Sequence, residues 1–427
     1  MSSNAPPEAA TDFEPALSKV LGEPVGVGDT SYAVDGLTPR FVATPTSVEQ
    51  LASVVALADE HRAAVVAWGA GRHMALGNVP SRYDLALRTA KLDRVLEYEP
   101  ADLTVTVEAG ITIGRLQALL AVQGQFLPID APGEATIGGV LAAGVSGASR
   151  HGYGLPRDWL LGCRVAHADG TISKGGGRVV KNVAGYDMPK LSVGALGTLG
   201  VIVEATFKVA PLPAAQETLL ASYSSLEAAA DAIFAAGARG LALRGAALRQ
   251  ESPNQALAAL WLAGPRTAVE RSARELRDLA GNAKLERLVD ADEERWWAEL
   301  SEADVAAEDS IALRASLPPS AVVGFMQHLA SLRNDVAVVT LAYPTTGLVL
   351  AKLVSDDPGS MANVIAAARR QAIEAGGSLV VVAAPVAVKQ RVDVWGDGGA
   401  ALPTMRRLKE QFDPRGTLSP GRFVGGL

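Results

Sequence analysis

Several features that would assign this chain to common classes of protein are scarce in its sequence. Cys163 is the only cysteine among 427 residues, which excludes an internal disulfide, a thiolate-held iron–sulfur cluster and a cysteine-based zinc site. Positive charge is also in short supply, because 39 Lys and Arg stand against 46 Asp and Glu, a net charge of −7. An acidic chain without a basic run is a poor partner for nucleic acid or an anionic membrane.

Long apolar runs are missing as well. No uninterrupted apolar segment reaches the ~18–20 residues that a transmembrane helix requires. The first 15 residues are polar and lack the apolar stretch of a signal peptide. A single cysteine suits a reducing compartment. We therefore expect a cytoplasmic protein, with any membrane association peripheral and made through partners.

Glycine, in contrast, is in excess. The chain has 43 glycines in 427 residues, about 10% against a usual ~7%. Sixteen of them lie between Gly133 and Gly200. They follow no strict three-residue period, so the chain is not collagen-like. Their concentration indicates one segment in which the backbone comes close to something.

The chain before Pro211 mixes helices and strands. Thr46 to Glu49 have the pattern of a capping box and predict an amphipathic helix over 47–61. Thr112 is a candidate cap for a helix that runs through Leu120. Apolar or alternating runs predict strands at 64–68, 83–87, 103–108 and 201–209.

Pro211 and Pro213 mark the best domain boundary, and the chain after them is rich in alanine. Helices are predicted at 225–236 and 266–280, and strands at 256–262, 311–317, 336–342, 347–354 and 379–384. This mixture predicts an α+β fold. We divide the chain into an extension over 1–40, with its first dozen residues disordered, a first domain over 41–212, a second domain over 213–405 and a closing segment over 406–427.

A glycine loop follows the predicted strand at 64–68. Gly69-Ala70-Gly71 begins like a dinucleotide fingerprint, but Met74 stands where the third glycine belongs and no helix follows. Two interpretations remain. The loop is either an ordinary turn or a nest of backbone N–H groups that binds an anion.

Three further glycine-rich phrases follow in order. They are Ala135-Thr136-Ile137-Gly138-Gly139, Val180-Lys181-Asn182-Val183-Ala184-Gly185-Tyr186-Asp187 and Gly197-Thr198-Leu199-Gly200-Val201-Ile202. The first suits either a helix start pressed against a ligand or tight packing of a helix on a sheet. Each phrase is weak alone, but their order and spacing are specific.

Together these phrases resemble the FAD-binding domain of the vanillyl-alcohol oxidase (PCMH) type, in its glycolate oxidase and D-lactate dehydrogenase branch. The resemblance is strong over 41–212, weak over 213–385 and visible again over 388–423, where Ser419-Pro420-Gly421-Arg422 is similar to the closing motif of that branch. It implies a two-part FAD-binding domain over 41–212 and a cap-like second domain, with 406–427 returning to the first. The chain length resembles that of the FAD-binding E subunit of glycolate oxidase.

The resemblance also implies which residues hold FAD, bound non-covalently. The pyrophosphate would lie on the loop Gly69, Ala70, Gly71, Arg72, His73 and Met74. The flavin and ribityl region would be lined by Pro132, Gly133, Thr136, Gly138, Gly139, Gly147, Tyr153 and Gly154, and the adenine region by Val201 and Ile202. Lys181, Tyr186 and Asp187 either reach the flavin or form a structural turn. Some relatives attach FAD through a loop His, but one position before His73, where this chain has Arg72.

The sequence departs from the family pattern in its second half. Catalytic members carry paired histidines that hold a metal there, whereas His328 is the only histidine after His167. We therefore predict no metal and assign no catalytic residue. The resemblance favours an FAD-binding subunit of a hetero-oligomeric glycolate oxidase, working beside a catalytic flavoprotein and an iron–sulfur subunit on a small 2-hydroxy acid. The alternatives are a non-catalytic assembly subunit and a stand-alone FAD-dependent oxidase of another substrate.

Overall fold

The computed structural model describes residues 12–177, 187–252, 254–301, 310–332, 336–355 and 357–427. The helices are α1 Phe13–Leu21, α2 Val48–Glu60, α3 Ile113–Ala121, α4 Ile137–Ala143, α5 Arg150–Tyr153, α6 Pro156–Trp159, α7 Met188–Ser192, α8 Leu226–Ala238, α9 Arg266–Ala280, α10 Asp290–Ser301, α11 Val322–Ser331, α12 Pro358–Glu374, α13 Val386–Lys389 and α14 Leu402–Phe412. The strands are β1 Gly26–Val27, β2 Phe41–Ala43, β3 Val65–Trp68, β4 Leu85–Arg88, β5 Val95–Glu99, β6 Thr104–Glu108, β7 Gln125–Phe126, β8 Leu160–Ala166, β9 Ile172–Gly176, β10 Val201–Lys208, β11 Ala210–Pro211, β12 Ala215–Tyr223, β13 Leu243–Ser252, β14 Gln255–Gly264, β15 Lys284–Leu288, β16 Ser310–Ser316, β17 Ala337–Tyr343, β18 Leu348–Val354 and β19 Ser378–Ala383.

Two sheets build the first half of the chain. The first has the order β1-β2-β4-β3, and β2, β4 and β3 run parallel. The chain crosses from β2 to β3, on either side of β4, through α2. This helix buries Leu51, Val54 and Val55 in the core beside the sheet. The second sheet is antiparallel, with the order β5-β6-β10-β8-β9. This pair of sheets is the two-part arrangement that the sequence predicts.

The second half is built on one eight-stranded sheet, ordered β15-β12-β14-β13-β17-β18-β16-β19. All its pairings are antiparallel in the described residues. Helices α8, α9, α11 and α12 bury their apolar residues on one face of it. Part of the other face meets the first half, where Ala312 and Val382 share a core with α4. The α+β prediction is confirmed.

The cap at the start of α2 lies one residue later in the chain than the sequence pattern predicts. The helix begins at Val48 after the cap Ser47, whose hydroxyl accepts from the Gln50 N–H at 3.1 Å. Gln50 Oε1 in turn accepts from the Thr46 N–H at 2.7 Å. The predicted cap at Thr46 with Glu49 is therefore wrong by one position, because Gln50 is the side chain that reaches back.

Residues at both ends of the described chain pack on the first half. Phe13 and Leu17 of α1 lie in the core beneath α2. Near the other end, the Val65 N–H donates to the Thr417 carbonyl at 2.7 Å, and the Ser419 N–H donates to the Val65 carbonyl at 2.8 Å. The tail thus lies beside β3. The expected disorder of the first dozen residues falls almost wholly on 1–11, outside the described residues, and the domain limits stay a prediction.

Ser419 occupies a position of special backbone conformation. Its φ is +45°, in the left-handed region that Asn and Gly adopt more readily than Ser. Within the described residues, no helix is both long and apolar enough to cross a membrane.

Candidate functional site

An open cleft of about 730 Å³ lies in the first half of the chain. Its walls are the loop after β3, the beginning of α4, the residues that lead into β10, and Arg422 from the tail. Most of the wall is glycine and alanine, so the backbone itself faces the cleft.

The loop after β3 forms one rim of the cleft. Gly71 has φ +78°, and a Cβ there would stand 2.9 Å from the Trp68 ring. Glycine is needed at this position for both reasons. Among the described residues, the N–H groups of Ala70 and Gly71 donate to no backbone carbonyl. The loop can therefore present N–H donors to an anion.

Helix α4 meets this loop at its first turn. A Cβ on Gly69 would stand 2.0 Å from Thr136 Oγ1, the hydroxyl that caps α4 by accepting from the Gly139 N–H. The N–H groups of Ile137 and Gly138 donate to the carbonyls of Ile111 and Ala109. The first N–H groups of α4 are thus satisfied within the protein. The phrase that begins at Ala135 predicted either a helix start against a ligand or tight packing of a helix on a sheet. Tight packing holds for Gly138, because a Cβ there would stand 2.9 Å from that of Ala109.

Arg422 closes the cleft from the tail. Its side chain is buried, with the residue only 3% exposed. Nη2 donates to the carbonyls of Met74 and Leu76, both at 2.5 Å, whereas Nε is buried without a hydrogen-bond partner among the described residues. A buried unsatisfied donor is costly and rare. A cation with an unused donor beside a glycine loop fits a pyrophosphate group.

His73 and Arg72 stand on the same rim. Burial, together with the charges of Arg72 and Arg314, lowers the pKa of His73 to about 4, so the imidazole is neutral at pH 7. Arg72 Nη1 pairs with Glu134 at 3.1 Å. Arg72 therefore has a protein partner, while His73 adds no charge to this rim.

Eleven of the predicted cofactor residues lie together on the cleft wall. They are Gly69, Ala70, Gly71, Arg72, His73, Met74, Thr136, Gly138, Gly139, Val201 and Ile202.

The other five predicted residues lie away from the wall. Gly133 accepts from the Gly114 N–H at 2.7 Å, and the Pro132 carbonyl accepts from the Ala135 N–H at 3.0 Å. Gly147 packs on Asp130, and Gly154 packs on Asp158. Tyr153 lies in a cluster with Phe126, Trp159 and Trp261. These contacts are structural, and a role of the five in cofactor binding stays a prediction.

Sequence reasoning missed several wall residues, which lie next to the recognised phrases. They are Ala67, Trp68, Thr89, Ala135, Ala142, Ala143, Leu196, Gly197, Gly200 and Arg422. Gly197, Gly200 and Arg422 stand within phrases that carried the family resemblance, so the phrases gave a signal for them. Ala67 lies in β3 and Thr89 directly follows β4; both reach the cleft only in the folded sheet, and no local signal marks them.

Three residues with an open role divide between described and undescribed chain. Lys181 and Tyr186 lie outside the described residues. Asp187 caps α7 and pairs with Lys190 at 2.8 Å.

Cys163 lies elsewhere and is buried, as expected of a small apolar side chain, and burial raises its pKa to about 12. No group of three His, Cys, Asp or Glu in the described ranges is placed to hold a metal ion.

Comparison with known proteins identifies the ligand of this half of the chain. Residues 39–176 match the family described as an FAD binding domain. The chain is 27% identical over 420 residues to glycolate oxidase subunit GlcD of Bacillus subtilis, covering 90% of this chain and 89% of that protein. It is 40% identical over 137 residues to glycolate oxidase subunit GlcE of Escherichia coli, covering 31% of this chain and 39% of that protein.

Among solved structures, p-cresol methylhydroxylase with substrate bound has the same fold. The TM-score is 0.75 at 16% identity, and the match covers 98% of this chain and 97% of that chain. Fold, cleft and family match therefore give the first half of the chain a PCMH-type FAD-binding domain. More particularly, the chain is an oxidoreductase whose cofactor is FAD.

Proposed function

We propose that this chain is the FAD-binding subunit of a glycolate oxidase complex and that FAD occupies the glycine-lined cleft. The observation that carries the placement is Arg422, whose buried guanidinium keeps one donor unused at the cleft wall. The observation that supports the activity is similarity across 90% of the chain to a glycolate oxidase subunit. A 2-hydroxy acid is accordingly the proposed substrate class of the complex.

Oxidation of a 2-hydroxy acid to a 2-oxo acid removes two electrons, and bound FAD supplies their acceptor. The chain contributes binding and orientation. The N–H groups of the loop after β3, with Arg422, would hold the pyrophosphate. Gly139 and its neighbours would leave room for the rest of the cofactor, because a side chain there would stand in the cleft. We propose that attachment is non-covalent, so acid precipitation should leave the flavin in solution.

The relay role rests on the second half of the sequence. His328 is the only histidine after His167, whereas the family resemblance implies paired histidines in catalytic members. We therefore propose that electrons pass between this flavin, a catalytic flavoprotein and an iron–sulfur subunit. An assembly role without electron transfer remains the first alternative.

A stand-alone oxidase is the other alternative, and two arginines favour it. The charge of Arg314 lowers the pKa of His73, after burial and Arg72, and it also lowers that of Arg150. The charge of Arg314, in β16, thus acts on both of these side chains. Neither arginine forms an ion pair within the described part of the chain. Two such cations suit the carboxylate of a substrate.

The visible spectrum of the purified chain tests these possibilities. We expect FAD uptake, a spectrum unchanged by glycolate or D-lactate under anaerobic conditions, and flavin reduction once the catalytic subunit is added. Bleaching of the isolated chain by glycolate would contradict the relay and favour stand-alone oxidation. Failure to take up FAD would contradict the placement of the cofactor in this chain, and uptake without reduction in the assembled complex would favour the assembly role.

A further inference from the structure

Lys389, at the end of α13 in the second half of the chain, reaches into the first half. Its side chain is 0% exposed. Nζ donates to Asp35 at 2.7 and 2.9 Å, to the Ala75 carbonyl at 2.6 Å and to the Gly77 carbonyl at 3.0 Å. An ammonium has three donors, and these three partners use all of them.

Arg422 completes this arrangement on the alternate carbonyls. It holds those of Met74 and Leu76, so four consecutive carbonyls, from Met74 to Gly77, accept from two buried cations. These four hydrogen-bonded carbonyls fix the backbone conformation at this end of the glycine loop. The preceding part of the same loop, with Ala70 and Gly71, borders the cleft.

Asn78 ties the next residue to the same two segments. Its Oδ1 accepts from the Val394 N–H at 3.0 Å, and its backbone N–H donates to the Arg422 carbonyl at 3.0 Å. Trp395 Nε1 donates to the same carbonyl at 2.9 Å. The loop is therefore held from outside by residues 389–395 and by the tail.

We propose that Lys389 is a positioning residue for the pyrophosphate loop and makes FAD affinity depend on the docking of the second half of the chain. Lys389 does not touch the cofactor, because its donors are already used. It holds the loop in the curvature that binds phosphate, and Asp35 balances its buried charge. By linkage, FAD must stabilise the contact between residues 386–395 and the loop by the same free energy. The inference rests on the placement of FAD in the cleft.

The test removes Lys389 and its carboxylate partner Asp35 together, so that neither stays buried without the other. In Lys389→Met with Asp35→Asn, we expect the affinity for FAD and for ADP to fall by at least ~10-fold, about 1.4 kcal/mol. ADP carries the pyrophosphate but no flavin. A weaker affinity for ADP would therefore locate the effect of the double variant at the pyrophosphate loop. Lys352→Met is the matched control, since Lys352 is a half-buried lysine of β18 in the same half of the chain. It should bind both ligands like the unaltered chain.

Hydrogen exchange on the unaltered protein supplies a second readout that needs no variant. FAD and ADP should each slow exchange of the amides of residues 386–395. Unchanged exchange in this segment, or unchanged affinity in a folded double variant, would overturn the proposal. If neither FAD nor ADP binds the unaltered chain, the placement of the cofactor fails instead, and glycolate-dependent reduction is not involved in either result.

Discussion

The two halves of this chain differ in whether backbone atoms or side-chain atoms form their polar contacts. The first half holds 26 of the 43 glycines, and the wall of its cleft is largely backbone. The second half buries its polar groups as side chains. Glu293 Oε1 accepts from Thr218 Oγ1 at 2.7 Å, and Trp297 Nε1 donates to the same hydroxyl at 2.8 Å.

This difference between the halves determines where a substitution disturbs the structure. An added Cβ on Gly69, Gly71 or Gly138 would stand within 3 Å of a neighbouring atom, so these glycines of the cleft wall are fixed by close contacts. A core made of alanine, leucine and valine accepts exchange of volume among its members at modest cost. Changes at glycines and charges of the two halves should therefore differ in the size of their effects.

The largest effect is expected for Gly69→Val. A Cβ at this position would stand 2.0 Å from Thr136 Oγ1, so the side chain must displace the cap of α4 and the loop together. We expect FAD affinity to fall by ~100-fold or more, about 2.7 kcal/mol, measured by flavin fluorescence titration. Gly324→Val is the matched control, because a Cβ there meets nothing within 4 Å. Equal FAD affinity in Gly69→Val and the control would contradict the claim that the first half is built on backbone contacts.

Gly139→Val separates the cleft from the fold. Gly139 is on the cleft wall, and its nearest neighbour for an added Cβ is Thr136 Oγ1 at 3.1 Å. Its φ lies outside the left-handed region, so the objection to valine is the space it takes from the cofactor. We expect ~10–100-fold weaker FAD binding, with the thermal unfolding of the apoprotein close to that of the unaltered chain. An apoprotein that no longer folds would show that this position serves packing instead.

Glu293 makes the stability of the second half depend on pH. Burial raises the pKa of Glu293 to about 7, above the value of 4.5 from which it starts. The folded state therefore binds more protons between these values, and its stability falls as pH rises from 4.5 through 7. Glu293→Gln should stabilise the protein by roughly 1–3 kcal/mol at pH 8 and leave it unchanged at pH 4.

Urea unfolding at the two pH values measures this difference. Glu286→Gln is the control, since Glu286 is exposed on the edge strand β15 and should change stability little at either pH. A gain for Glu293→Gln that is equal at pH 4 and pH 8 would show that ionisation of Glu293 is not its cause.

The smallest effect is expected for Gly237→Ala in α8. A Cβ there meets nothing within 4 Å, and alanine is the better helix former. We expect a gain of about 0.5–1 kcal/mol in the free energy of unfolding, with FAD affinity unchanged. A loss of stability would show that this part of the second half has hidden backbone constraints like those of the first.

The sequence predicted about half of the strands and fewer of the helices, and it did so where the apolar pattern is local. The strand predicted at 201–209 is β10, and the helix predicted at 266–280 is α9. The glycine phrases were informative for a related reason, since a backbone that must approach closely leaves glycine as the residue that fits. Loop 69–74 and Gly139 were predicted together and lie together on the cleft wall.

What could not be predicted depends on contacts between distant segments. Lys389 has an ordinary charged side chain in the sequence, and its partners Asp35 and Ala75 stand more than 300 residues away. Thr136 belongs to the glycine-rich phrase that begins at Ala135, but its contact with Gly69 forms only when the loop after β3 meets α4. Pro132, Gly133, Gly147, Tyr153 and Gly154 show the converse, because a phrase can carry a fold without every member reaching the cleft.

The position of Arg422 in the chain has a consequence for the order of events in the cell. The cleft needs a guanidinium from beyond α14 and carbonyls that Lys389 holds from beyond β19. Both segments leave the ribosome after every other part of the cleft wall has been made. On the proposed placement of FAD, tight binding of the flavin therefore follows the folding of the second half, and we expect a nascent chain that has only its glycine-rich half to hold the cofactor weakly.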